Sequence, residues 1–126
     1  MITLVLIACL ALQRDLLDAV TATPGNHVVV LENDRVRVLQ VIVQPGETEP
    51  VHIHRWPSVM QIQSAQPLVD ILYEEKDGNL VEARRVSLPD GPPPPALWFE
   101  PEGPHAIHNA GAAPFRALRV EMKPAD

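Results

Sequence analysis

The chain has 126 residues, a formal charge of −6 and a pI near 5.3. That length builds one domain with a single core. The acidic balance excludes nucleic acid as a partner, since no basic stripe exists to neutralise phosphates. A single cysteine excludes an internal disulfide and any cysteine-rich zinc site. Fourteen prolines are poorly tolerated inside helices and central strands and belong in turns and at strand edges.

Met1 to Leu12 is an apolar run too short to span a bilayer. It matches the hydrophobic region of an export signal, with a small-residue cleavage site around Ala11, although no Lys or Arg precedes it. Leu6-Ile7-Ala8-Cys9 also resembles a bacterial lipobox, which makes Cys9 a candidate lipidated anchor. The alternative is a segment that packs on the domain or on a partner. The expected organisation is residues 1–12 as this segment, 13–26 as a short helix and linker, and 27–123 as the domain. Gln13 to Val20 reads as a short amphipathic helix with Leu16, Leu17 and Val20 on one side, too short to stand without docking.

From Pro24-Gly25 onward the pattern is strands and turns. His27 to Glu32 and Arg35 to Val43 form a hairpin across Asn33-Asp34. Gly46 turns the chain into His52-Ile53-His54, and Ser58 to Gln63 alternates beyond Pro57. Pro67 to Tyr73 and Leu80 to Leu88 are joined by the Asp77-Gly78 turn. Pro92 to Pro95 is a stiff surface connector. Ala96 to Phe99 and His105 to Asn109 flank a Pro101-Glu102-Gly103-Pro104 turn, and Phe115 to Met122 is the last strand. About nine short strands without βαβ alternation predict an all-β sandwich or barrel.

His52 and His54, two residues apart on a strand, face the same side. Two such imidazoles can share one ion, at roughly 2.0–2.1 Å each for zinc. Four of the five histidines fall in two windows, His52/His54 and His105/His108. Parity separates the second pair, so one of them reaches a shared site; His105, directly after the Gly103-Pro104 turn, is the candidate third ligand. His108 is expected to be exposed, and His27 to be a solvated or internally satisfied residue of the first strand.

With these residues in place, the chain resembles the cupin superfamily. Gly46, His52 and His54 match the opening of its first motif, G-x5-H-x-H-x3,4-E-x6-G. Pro101, Gly103, His105 and Asn109 match most of its second, G-x5-P-x-G-x2-H-x3-N. The resemblance covers roughly Asn26 to Lys123 and is closest to short single-domain cupins, some of them associated with β-alanine degradation. It implies a double-stranded β-helix, a small jelly-roll barrel holding a divalent metal ion, Fe(II), Zn, Mn or Ni, in its mouth. Three departures stand out: Ser58 and Val59 occupy the glutamate position of the first motif, Ala65 its later glycine position, and Pro95 the leading glycine of the second.

A site of three neutral histidines carries no ligand charge, unlike a two-histidine-one-carboxylate triad. Zinc accepts three histidines plus water, and three-histidine sites occur among cupin thiol dioxygenases. Glu47 and Glu49 are candidate outer carboxylates. The candidate substrate pocket is Arg55, Trp56, Ser58, Met60, Trp98 and Asn109, with Asn109 also suited to bridging backbone before Gly111. The expected function is a metal-dependent small-molecule enzyme of oxygenase type, the alternative a non-enzymatic cupin binding a metal or small ligand in the cell envelope. A small-molecule ligand and a homodimer are the expected partners, with no integral membrane span.

Overall fold

A computed structural model describes residues 13–126 of the chain. The expected export signal and Cys9 lie outside the described residues. Residues 13–17 are helical, and a further turn of helix, α1 (Ala19–Ala22), follows. Nine strands come next: β1 (His27–Glu32), β2 (Val36–Val43), β3 (His52–His54), β4 (Ser58–Ser64), β5 (Leu68–Lys76), β6 (Asn79–Ser87), β7 (Leu97–Phe99), β8 (Glu102–Asn109) and β9 (Phe115–Met122). They form two antiparallel sheets, in the orders β1-β2-β9-β4-β7 and β3-β8-β5-β6. No helix among the described residues is long and apolar enough to cross a membrane.

The turns follow their side chains. Asn33 closes the first hairpin by accepting from the backbone N–H groups of Arg35 and Val36, an Asx-type turn that needs no left-handed backbone. Asp77 and Gly78, in contrast, both take positive φ, 52° and 81°, as a two-residue hairpin requires. Gly46 also has positive φ, and its N–H donates to the Asn109 carbonyl. The loop after it runs alongside β8, with Glu49 N donating to Ile107 O and Asn109 N to Glu47 O. The two motif windows are thus laced together by backbone.

β8 begins earlier than its prolines suggest. The expected turn at Glu102 to Pro104 is strand, because the pairing of β3 with β8 is irregular: His52 opposes His105, His54 opposes Glu102, and the register shifts between them. Pro104 falls in that irregularity, where a missing N–H breaks no ladder bond.

Period-two alternation decides what the barrel encloses. On β2 the buried positions are Arg37, Leu39, Val41 and Val43, and on β9 they are Phe115, Ala117, Arg119 and Glu121. The register pairs Val43 with Phe115, Val41 with Ala117, Leu39 with Arg119 and Arg37 with Glu121. One end of the interior is therefore apolar, and the other is charged. Val20, Val29, Met60, Ile62 and Leu68 pack on the apolar layer. Burying a side chain such as Leu39 stabilises by about 2 kcal/mol, so this layer supplies the drive that holds the polar end in place.

The N-terminal helix docks differently from its amphipathic pattern. Leu16 is exposed, and the helix breaks at Asp18, whose backbone bridges Ile53. Asp18 accepts two hydrogen bonds from the Arg37 guanidinium, both 2.9 Å, and one from Val20 N. A buried ion pair, with Ala19 beneath it, does the docking. Burial alone would raise the Asp18 carboxyl, but the bonds and charge of Arg37, with the charge of Arg55, hold it below the ordinary 3.8. A carboxylate with a depressed folded pKa contributes stability that is complete above 3.8 and lost as pH falls through the folded value. Asp18→Asn should cost about 3 kcal/mol at neutral pH. In urea unfolding, the gap between variant and parent should shrink below about pH 4; a constant gap down to pH 3 would contradict this account.

Candidate metal centre

Four histidines converge in the barrel interior, brought from both sheets. His52 and His54 come from β3 and His105 from β8, while His27 enters from β1 in the opposite sheet. Ring centroids lie 4.5 Å apart for His52 and His105, 5.1 Å for His52 and His54, and 5.6 Å for His54 and His105. The His27 ring is 4.7 Å from His52 and 5.2 Å from His54. His27 is thus neither solvated nor remote. Its parity shows why: it shares the inward side of β1 with Val29, which packs on the core. His108, expected to be exposed, is half-buried with Nδ1 2.8 Å from Thr48 Oγ1.

The imidazoles are oriented from behind. Nδ1 of His52 lies 2.9 Å from Pro50 O, Nδ1 of His105 2.7 Å from Gly103 O, and Nδ1 of His54 3.3 Å from Glu121 Oε2. Nδ1 of His54 thus faces the Glu121 carboxyl. The Pro50 and Gly103 carbonyls can only accept, so Nδ1 of His52 and of His105 carries a proton, and in the neutral ring Nε2 keeps the lone pair. That is the tautomer a metal ligand needs, with its outer hydrogen bond fixing the ring. His27 Nδ1 lies 3.4 Å from Glu49 Oε2, so Glu49 stands behind His27 as an outer carboxylate. Burial, then the neighbouring charges of His105 and Arg119, pushes His52 down to about 3. Burial also holds His27 and His54 well below their ordinary value, with His52 the next cause at His27 and Arg119 at His54. Neutral, desolvated imidazoles with inward lone pairs fit a divalent cation.

Two donor sets have ligand atoms mutually within 4.8 Å: His27, His52 and His54, and His54, Glu102 and His105. His54 belongs to both. The expected trio of His52, His54 and His105 is close ring to ring, but each outer member groups with a residue the sequence reading left out. Glu102 offers a carboxylate from β8. Glu121 offers another: it is fully buried on β9, directly opposite Ser58 in register. Negative charge absent at Ser58 thus arrives across the sheet, held by Arg37 Nε at 2.8 Å. Burial raises the Glu121 carboxyl, against the lowering pull of Arg37. The signal for Arg119 and Glu121 was charge at inward positions of a strand otherwise reading Phe115, Ala117.

The expected pocket residues separate. Ser58 is buried beside Glu121, with its Oγ unpartnered. Met60 packs on the apolar core. Trp98 is 56% exposed and donates to Glu100, so its indole faces away from the barrel. Asn109 donates to Val43 O and Ala113 O and accepts from Gly111 N, which leaves no amide group for a ligand. Trp56 lies under the cations of Arg37, Arg55 and Lys123. Arg55 pairs with Asp15 and Asp18, and alone of the six it lines a cleft of about 740 Å³ that includes His54 and Glu102. A smaller cavity of about 220 Å³ reaches His105, Glu102 and Asp70.

This arrangement of two antiparallel sheets with histidines between them is the cupin fold, a double-stranded β-helix. No family model matches the chain, and no curated protein matches it. Solved structures do. A cupin-domain protein of Bordetella pertussis Tohama I is 21% identical with a TM-score of 0.56, spanning 78% of this chain and 92% of its own. An RmlC-like cupin family protein with a double-stranded β-helix fold from Methanocaldococcus jannaschii is 11% identical at 0.51, with 76% and 77% covered. A Bacillus halodurans protein is 18% identical, also at 0.51, with 79% and 71% covered.

The tautomers are directly observable. In metal-free protein, long-range ¹⁵N–¹H spectra should show Nδ1–H and an unprotonated Nε2 for His52, His54 and His105. Glu121→Ala should abolish that preference at His54 alone; an unchanged His54 pattern would exclude Glu121 as its orienting partner.

Proposed function

We propose that the protein binds one divalent metal ion through His52 and His54, flanked by His27 and His105, and uses it on a small molecule in oxygenase-like chemistry. The observation that carries this reading is the crowding of buried ligand atoms, those of His27, His52 and His54 lying within 4.8 Å of one another and those of His54, Glu102 and His105 likewise, with Nδ1 of His52, His54 and His105 turned to acceptors behind the rings. An all-nitrogen set without thiolate suits Fe(II), Zn or Ni, and the nearby Glu102 carboxylate extends the choice to Mn. A bound ion would supply a Lewis acid or oxygen-binding centre. The chain's own part is to orient the imidazoles, through Glu121, Pro50, Gly103 and Glu49, and to bury them away from bulk water.

A non-enzymatic metal-binding role is the second reading. It is favoured by enclosure: His52 and His54 are each only 1% exposed.

Elemental analysis of purified protein should give close to one divalent ion per chain, lost in His52→Ala/His54→Ala. Unchanged metal content in that variant would overturn the assignment. Loaded with Fe(II), the protein should consume oxygen with a member of a panel of small acids, thiols and diols; binding without turnover would select the non-enzymatic reading.

We propose also that the chain is a homodimer. β1 is an edge strand, and Val28, Val30 and Leu31 on it are each more than half exposed, the kind of edge that pairs with another copy. Sedimentation equilibrium should give twice 13.9 kDa; a single species at that mass would refute it.

A further inference from the structure

The barrel interior holds two buried arginines, and they are treated differently. Arg37 is saturated: Nη1 and Nη2 donate to Asp18 and Nε donates to Glu121, all within 2.9 Å. Arg119 is 3% exposed, yet among the described residues its only hydrogen-bond partner is Glu102, through Nη2, and its Nε is buried with none. A guanidinium has five donors in a flat fork that matches a carboxylate. Leaving one edge bare in a desolvated interior is costly unless something occupies it.

The bare edge belongs to the histidine site. Arg119 and Glu121 lie two residues apart on the inward side of β9, and Glu121 contacts His54. Glu102, the one partner of Arg119, has a carboxylate oxygen within 4.8 Å of ligand atoms of His54 and His105. The Phe99 ring lies 5.2 Å from the Arg119 guanidinium carbon and covers it. The 220 Å³ cavity is lined by Glu102 and His105, the first being the partner of Arg119.

We propose that Arg119 is the anchor for the carboxylate of a small monocarboxylate ligand bound at this site. For the placement of the rest of the ligand the inference relies on the metal-centre reading above. One guanidinium edge takes one carboxylate in a bidentate pair. A phosphate dianion fits poorly, because the Glu102 carboxylate already sits on the same guanidinium. Arg55 does not compete for the role, being part-exposed and already paired with Asp15 and Asp18.

The test uses ¹⁵N-labelled, zinc-loaded protein, reading the Nε–H resonance of Arg119 assigned through its contact with Phe99. Glycolate should shift this resonance saturably and bind at least about tenfold tighter than neutral glycolamide. Arg119→Lys, which keeps the charge without the fork, should weaken glycolate about tenfold at unchanged zinc content. Equal binding of glycolate and glycolamide, or a resonance that glycolate does not move, overturns the inference. Should Arg119→Lys fail to fold, the glycolate-to-glycolamide ratio on the parent protein decides. A parent protein that takes up no zinc counts against the metal reading alone, and the same two ligands on zinc-free protein then decide Arg119.

Discussion

The charged end of the barrel depends on the neutralisation of Arg37. A guanidinium in a protein interior is unaffordable alone, and here it is held by Asp18 on one side and Glu121 on the other. Asp18 ties down the N-terminal helix, Arg37 sits on β2, Glu121 on β9, and Glu121 in turn meets His54 on β3. One chain of charged hydrogen bonds therefore links the helix, both sheets and the histidine cluster. The apolar layer of Leu39, Val41, Val43, Phe115 and Ala117 provides the burial energy against which these polar groups are desolvated.

The same desolvation prepares the histidines. In water an imidazole exchanges its proton near neutrality and either nitrogen can carry it. Enclosure between the sheets holds His27, His52 and His54 below their ordinary pKa, and acceptors behind His52, His54 and His105 fix which nitrogen each ring turns outward. Among the described residues, several buried polar atoms of the interior lack a hydrogen-bond partner: Ser58 Oγ, Asp70 Oδ1 and Arg119 Nε. Folded interiors rarely leave such groups unmatched without a reason. Their gathering in one interior agrees with a site built to receive something.

Much of the barrel was legible in local pattern. Period-two alternation identified β2 and β9, Asp77-Gly78 identified the β5–β6 hairpin, and the spacing of His52 and His54 placed two imidazoles on one face. The elements misread were those whose conformation answers to distant partners. Glu102 to Pro104 looked like a turn because proline and glycine usually punctuate, yet an irregular pairing with β3 draws them into β8. The N-terminal helix looked amphipathic through its leucines, yet an ion pair with Arg37, nineteen residues on, decides its docking.

What the sequence determined by itself is most of the strands and, on β2 and β9, the inward side, because alternation is a local property of extended chain. It also kept His52 and His54 together, since two residues of one strand cannot be separated by folding. Which residues join them is a matter of register between strands far apart in the chain. His27 joins from β1, Glu102 from β8 and Glu121 from opposite Ser58, and each contact depends on a pairing that no local pattern encodes. The missing glutamate of the first motif shows the difference: at Ser58 the sequence displays a loss, and the register sets the Glu121 carboxylate of β9 opposite it, where it stands behind His54.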